Sequence, residues 1–199
     1  MVKPTKLFWK VGKHVLRYLR GTSGYGLWYR QEDEVKLCGF TAADWAGSPM
    51  DRKSTSGGIF SINLTAFSWY SRKQRSVALI SAETEYMAAS LAACEAIWMR
   101  KILVRLFGSH LEPTVIYCDN QSYMKLSANP VFHDRSKHID IRYHHIRDCV
   151  QRRIMLLSYV PTEDQDADIL TKALTRSKFE FHRGRIGVAD NPYLFEREF

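Results

Sequence analysis

The sequence predicts an α/β fold: a five-stranded mixed sheet, three antiparallel strands followed by parallel ones, flanked by helices. Three observations carry this. Runs rich in β-branched and aromatic residues crowd the stretch from residue 35 to residue 72, the composition of paired strands. An alanine-rich segment from Ser81 to Phe107 contains no Pro or Gly and is long enough to be a single helix laid on the sheet. Beyond it, two short apolar runs, 114–119 and 154–161, alternate with helical sequence, the pattern of a sheet continued in parallel.

Residues 4–20 read as an amphipathic helix. Leu7, Phe8, Val11, Val15, Leu16 and Leu19 recur at helical spacing, with Lys6, Lys10, Lys13 and Arg17 elsewhere on the wheel, and Gly21 ends it. GLWYR (26–30) and VKLCGF (35–40) flank the polar turn Gln31-Glu32-Asp33-Glu34 and predict a hairpin. In GFTAADWAG (39–47) alternate residues share a face, which sets Ala42 and Asp44 on one side of a strand. Two further strands are expected at about 54–63 and 66–72.

Ser81 has the form of a helix N-cap. On the helix that follows, Glu85, Ala89, Ala92, Ala93 and Ala96 fall on one side, a strip of small residues that permits close approach to a sheet. Glu83 faces elsewhere and suits the helix start. TVIYCD (114–119) is a strand ending in an acid, and a short helix is expected over 120–129. Lys137 to Arg153 predicts another helix, 154–161 a strand, and 162–175 a last helix that begins with side-chain acceptors. This element order is that of a ribonuclease H-like fold.

Composition bounds the rest. At 199 residues and 45% hydrophobic content the chain can bury one good-sized core. No apolar run approaches the roughly 20 residues of a membrane-spanning helix, and MVKPTKLFWK lacks the features of a signal peptide. An intracellular protein, cytoplasmic or nuclear, is expected. Cys38, Cys94, Cys118 and Cys149 form no CxxC pair and are expected to be buried free thiols rather than zinc ligands or a redox pair. His133, His138, His144 and His145 match no zinc spacing either. The net charge of +8 favours a polyanionic partner, nucleic acid before an acidic protein or a lipid surface.

Such a sheet would gather Glu85, Asp119, Asp168 and the end of the 39–44 strand from distant parts of the chain. Clustered carboxylates repel one another unless a cation compensates. Two Mg²⁺ or Mn²⁺ ions would do so, one activating a water and the other stabilising the leaving oxygen of a phosphodiester displacement, and hard cations suit oxygen donors.

GFTAADWAGS, DRKSTSGG, SRKQRSVALISAETEYMAAS, ACEAIWMRKIL, YCDNQS, NPVFHDRSKHIDIRYHHIRD and YVPTEDQDADILTKAL resemble, in the same order, the RNase H domain of copia-type retrotransposon polyproteins. The likeness runs from about Leu7 to Val188, and KHVLRYLRGTS is similar to the segment joining the reverse transcriptase to that domain. It implies three parts: residues 1–34 as the connection, 35–188 as the RNase H-like domain, and 189–199 as a tail. It also implies that Glu85, Asp119 and Asp168 are catalytic metal ligands. The family's first-strand acid falls at position 42, where this chain has Ala42. Asp44 lies roughly 6.5 Å further along the same face, whereas Mg–O bonds are about 2.0–2.1 Å. It would substitute only if the strand bends sharply there; otherwise it is a polar strand end.

The substrate implied is an RNA/DNA hybrid, with Asn120 and Gln121 as contacts to 2′-hydroxyls or base edges. Arg72, Lys73, Arg135 and Lys137 are candidate phosphate contacts, and Arg75, Arg142, Arg152 and Arg153 extend that set. A reverse transcriptase domain or a host protein is the protein partner implied. The competing reading is a nucleic-acid-binding or protein-interaction module without chemistry.

Overall fold

The computed structural model describes residues 5–30, 34–108, 111–120 and 137–190, the side chains of 137–141 and 143 excepted. The elements are α1 (Lys6–Gly21), β1 (Tyr25–Leu27), β2 (Leu37–Ala43), β3 (Thr55–Ile62), β4 (Thr65–Lys73), α2 (Ser81–Phe107) and β5 (Thr114–Cys118). They continue with α3 (Lys137–Gln151), β6 (Met155–Tyr159), two 3-10 turns (Thr162–Asp164 and Asp166–Leu170), α4 (Arg176–Arg185) and β7 (Val188–Asp190). The main sheet has the order β4-β3-β2-β5-β6. Antiparallel pairing joins β2 to β3 and β3 to β4, and parallel pairing joins β2 to β5 and β5 to β6, as the sequence predicts.

α2 lies on this sheet through its alanine strip. Ala92, Ala93 and Ala96 are buried and pack with Leu37, Phe60, Ile116 and Met155 of the strands, and Ala89 is buried in a second cluster with Cys118 of β5. Small side chains let the helix backbone approach the sheet, and each fully buried Phe60-sized side chain contributes roughly 1.5–3 kcal/mol. α2 ends at Gly108, whose left-handed conformation (φ 66°) lets its N–H reach the Val104 carbonyl.

Several expectations change. β1 does not form a hairpin with β2; it pairs antiparallel with β7, Leu27 opposite Val188. Ser81 is not the N-cap of α2; Ile80 holds that position without a side-chain cap, and Glu83 Oε2 accepts from the Leu79 N–H just before it at 2.8 Å. This is the N3 carboxylate reaching back over the first turn. The helix expected over 162–175 is replaced by the two 3-10 turns, because Gln165 between them is extended (ψ 95°). α4 was not expected. Of the four free cysteines, Cys118 and Cys149 are buried, Cys38 is half-buried and Cys94 is exposed. The expected short helix at 120–129 lies beyond the described residues from 121 onward.

The two adjacent glycines of β3 make room on opposite faces. A Cβ on Gly58 would stand 2.4 Å from the Tyr70 ring, and one on Gly57 would stand 2.9 Å from the Ala167 carbonyl of the second 3-10 turn. That turn therefore rests directly on the sheet. Among the described residues, no helix is long and apolar enough to cross a membrane.

Candidate active site

β2 and β5 run parallel with Phe40 opposite Tyr117, their rings stacked with centroids 4.8 Å apart. Extending that register by two residues sets Ala42 level with Asp119. α2 brings Glu85 to the same place, and a small cleft is lined by Ala42, Ala43, Glu85, Ala88, Asp119 and Asn120. The buried methyl of Ala42 thus forms a wall where the two acids meet.

Glu85 is half-buried, and its Oε2 is buried without a hydrogen-bond partner. Burial raises its carboxyl, a hydrogen bond with Asn120 pulls it down, and the Asp119 charge pushes it up again, leaving it at about 7. Asp119 Oδ2 accepts from the Thr162 hydroxyl at 3.2 Å, so the first 3-10 turn steadies this acid. The thiol of Cys118, pushed up to about 12 chiefly by burial, is an inert part of the wall.

Asp168 stands on the second 3-10 turn, buried, with Oδ2 2.6 Å from Lys172 Nζ. It does not line the cleft. The turn that carries it is nevertheless adjacent to Ala42. Gly57, the cross-strand partner of Ala42, lies beneath the turn, and Gln165 Nε2 donates to the Thr41 carbonyl at 3.1 Å. Position 42 consequently has the Glu85–Asp119 cleft on one side and the Asp168 turn on the other. Among the described residues, no group of three or more His, Cys, Asp or Glu is gathered to hold a metal.

Asp44 is engaged elsewhere. Its N–H donates to the Thr55 carbonyl at 3.0 Å, its Oδ1 accepts from the Thr55 N–H, and its Oδ2 fills the space beside Gly47. It closes the loop between β2 and β3. Arg72 pairs with Glu95 of α2 at 3.1 Å, and Lys73 pairs with Asp51 at 2.9 Å and donates to Ser48 at 3.1 Å. Gln121 and Arg135, and the side chain of Lys137, lie outside the described residues. His144 is exposed, and His145 is half-buried with Nε2 3.8 Å from Cys149 Sγ.

Sequence reasoning missed Thr162, Gln165 and a buried ion cluster. Asp166 accepts from His182 at 2.7 Å and pairs with Arg185 at 3.1 Å, locking the second turn to α4. Burial pushes the Asp166 carboxyl up, while His182 and Arg185 oppose that shift. Lys172 was missed too, although its place four residues after Asp168 is a signal of such a pair; the others meet only through space.

The donor set fits one hard divalent cation. An orphaned Glu85 oxygen, Asp119 and the Asn120 amide offer oxygen ligands within one cleft. It does not complete a set for two, since position 42 offers no side-chain oxygen and Asp168 is held by Lys172.

No family model matches the chain. It is 42% identical over 188 residues, 94% of its length, to the retrovirus-related Pol polyprotein from transposon TNT 1-94 of Nicotiana tabacum. It is 41% identical over 192 residues to that from transposon RE2 of Arabidopsis thaliana. The chain spans 14% and 13% of these two polyproteins. Among solved structures it resembles LC11-RNase H1, isolated from compost by a metagenomic approach, with a TM-score of 0.51 and 13% identity over 68% of this chain and 92% of that one. Sequence relatives and fold agree: the chain is homologous to a segment of copia-type retrovirus-related Pol polyproteins and carries the ribonuclease H-like fold.

Proposed function

We propose that the chain is an RNase H domain built for divalent-metal-dependent cleavage of RNA in RNA/DNA hybrids, and that Ala42 leaves it crippled in that reaction. In this reading residues 35–188 are the nuclease unit, 1–34 connect it to a reverse transcriptase, and 189–199 are a tail. The observation that carries the proposal is the position of Ala42, in the wall shared by Glu85 and Asp119 and next to the turn bearing Asp168.

Glu85 and Asp119 would hold Mg²⁺ or Mn²⁺, with Asn120 beside them. A bound cation supplies charge neutralisation for the phosphodiester and acidifies a water. The chain's own residues do the positioning. Thr162 fixes one oxygen of Asp119, Asn120 orients Glu85, and the apolar wall of Ala42, Ala43 and Ala88 limits water around both. Lys172 neutralises Asp168, which otherwise would add a third negative charge beside position 42. The basic surface of the chain attracts the phosphates of the hybrid without regard to sequence.

Cleavage of a labelled hybrid, comparing this chain with Ala42→Asp, tests the reading. The variant is expected to cut at least about 10²-fold faster, the scale of restoring one transition-state electrostatic contact. Robust cutting by the unchanged chain would overturn it. A second reading, a nucleic-acid-binding module without chemistry, is favoured by the Asp168–Lys172 pair, and inactivity of both forms with tight hybrid binding would establish it.

A further inference from the structure

α1 is an amphipathic helix whose apolar side is covered by nothing among the described residues. Its sixteen residues include none that is buried. Leu7, Phe8, Trp9, Val11, Val15, Leu16, Tyr18 and Leu19 are each 50% or more exposed. At about 100° per residue, Leu7, Tyr18, Val11, Val15, Phe8 and Leu19 cover an arc of about 120°, while Lys6, Lys10, Lys13, Arg17 and Arg20 occupy about 80° opposite. An isolated helix of this length is marginal in water, and most helices depend on packing of the apolar face. Among the described residues α1 has local support: the Thr5 hydroxyl accepts from the Phe8 N–H at 3.3 Å, and Thr22 closes the other end. No acid stands in its first turn to offset the positive helix end.

Two features narrow the occupant of that face. Gly12, at the edge of the apolar arc, has nothing within 4 Å of where a Cβ would stand. A mid-helix glycine costs up to about 1 kcal/mol against alanine, and its use is to let a second backbone come close. The helix also bears five cations and no acid. A second copy would bring like charge against like charge on the flanks of the seam, where paired helices place opposite charges.

We infer that the apolar face of α1 is a docking surface for an apolar, acid-flanked helix or groove from another part of the same polyprotein. The relatives supply the context. The match to the RE2 polyprotein covers 96% of this chain, so it includes most or all of α1, yet amounts to 13% of that polyprotein. The helix is thus part of a much larger protein in its relatives, with ample surface to cover it.

Hydrogen exchange read by mass spectrometry tests this in two settings: the chain alone, and the chain substituted for its matching stretch in the TNT 1-94 polyprotein. α1 amides are expected to exchange at least tenfold more slowly in the polyprotein. Val15→Asp should abolish that protection and Val15→Leu should keep it. Neither change should alter the exchange of the main sheet or the melting temperature of the chain alone, because α1 buries nothing there. Exchange in the polyprotein as fast as in the chain alone would overturn the proposal. So would protection in the chain alone that depends on concentration and on a dimer mass in light scattering, which would assign the face to a second copy. Protection gained only with vesicles containing phosphatidylserine would overturn it in favour of a lipid surface. None of these readouts depends on nuclease activity.

Discussion

With its carboxyl raised to about 7, Glu85 is about half protonated at neutral pH, so a divalent cation entering the cleft competes with a proton for the same oxygens. Mn²⁺ affinity measured by titration calorimetry is expected to rise about tenfold between pH 6 and pH 8, with proton release visible as a buffer-dependent heat. Asp119→Asn should abolish that binding. The same shift has a cost in stability. A carboxyl raised in the folded state binds its proton more tightly than in the unfolded chain, so stability is fully present below about pH 4.5 and declines as pH rises toward 7. Glu85→Gln is therefore expected to melt higher than the parent at pH 8, by about 1 kcal/mol once solvent screening of a half-exposed group is allowed for. The advantage should disappear near pH 4. Glu85 and Asp119 were legible because each occupies a fixed place on a long helix or at a strand end. Thr162, which holds Asp119 from 43 residues away, has no local signature.

At the level of elements, the second 3-10 turn matters most, because it sets where Asp168 stands relative to position 42. Its seat is Gly57: an added Cβ would press on the Ala167 carbonyl at 2.9 Å and the Thr171 methyl at 2.7 Å. Backbone on one side cannot yield easily. Gly57→Ala is expected to cost about 1–3 kcal/mol in denaturant unfolding, the range for overpacking a core, whereas the same change at exposed Gly12, with nothing nearby, should cost nothing. The strands of the main sheet and the helices α1, α2 and α3 were readable from period and composition. The turn was not, because acceptors such as Asp164 and Asp166 promise a helix start, while the actual backbone is decided by Gln165 bonding to β2. β1 likewise looked like half of a hairpin, and its partner β7 lies at the far end of the described chain, where no neighbouring sequence announces it.

For the molecule as a whole, the charge of +8 is an argument about partners rather than fold. Affinity for a hybrid, followed by fluorescence anisotropy, should fall steeply with salt, by roughly 0.7–0.9 log units per log unit of salt for each phosphate neutralised. A flat response would argue against phosphate-driven binding. The sheet order and the family were both legible, the first from the succession of elements and the second from many sequence blocks in order. The consequence of Ala42 was legible only as a vacancy; its neighbours on both sides required the paired strands to be seen.

The two-stranded ribbon of β1 and β7 carries an expectation about the order of folding. Leu27 and Val188, about 160 positions apart, would cost about 4.5 kcal/mol to bring together by loop closure alone. Three residues of pairing, at about 1 kcal/mol per hydrogen bond, do not repay that. By that arithmetic the ribbon depends on the main sheet to hold its ends near each other, on a platform where Trp28 donates to the Gly187 carbonyl and Ala66 to that of Ile186, both at 2.9 Å. It is therefore expected to form after the main sheet and to open before it, so that β1 and β7 fray together, which hydrogen exchange of their amides would register as faster than that of β2 and β3.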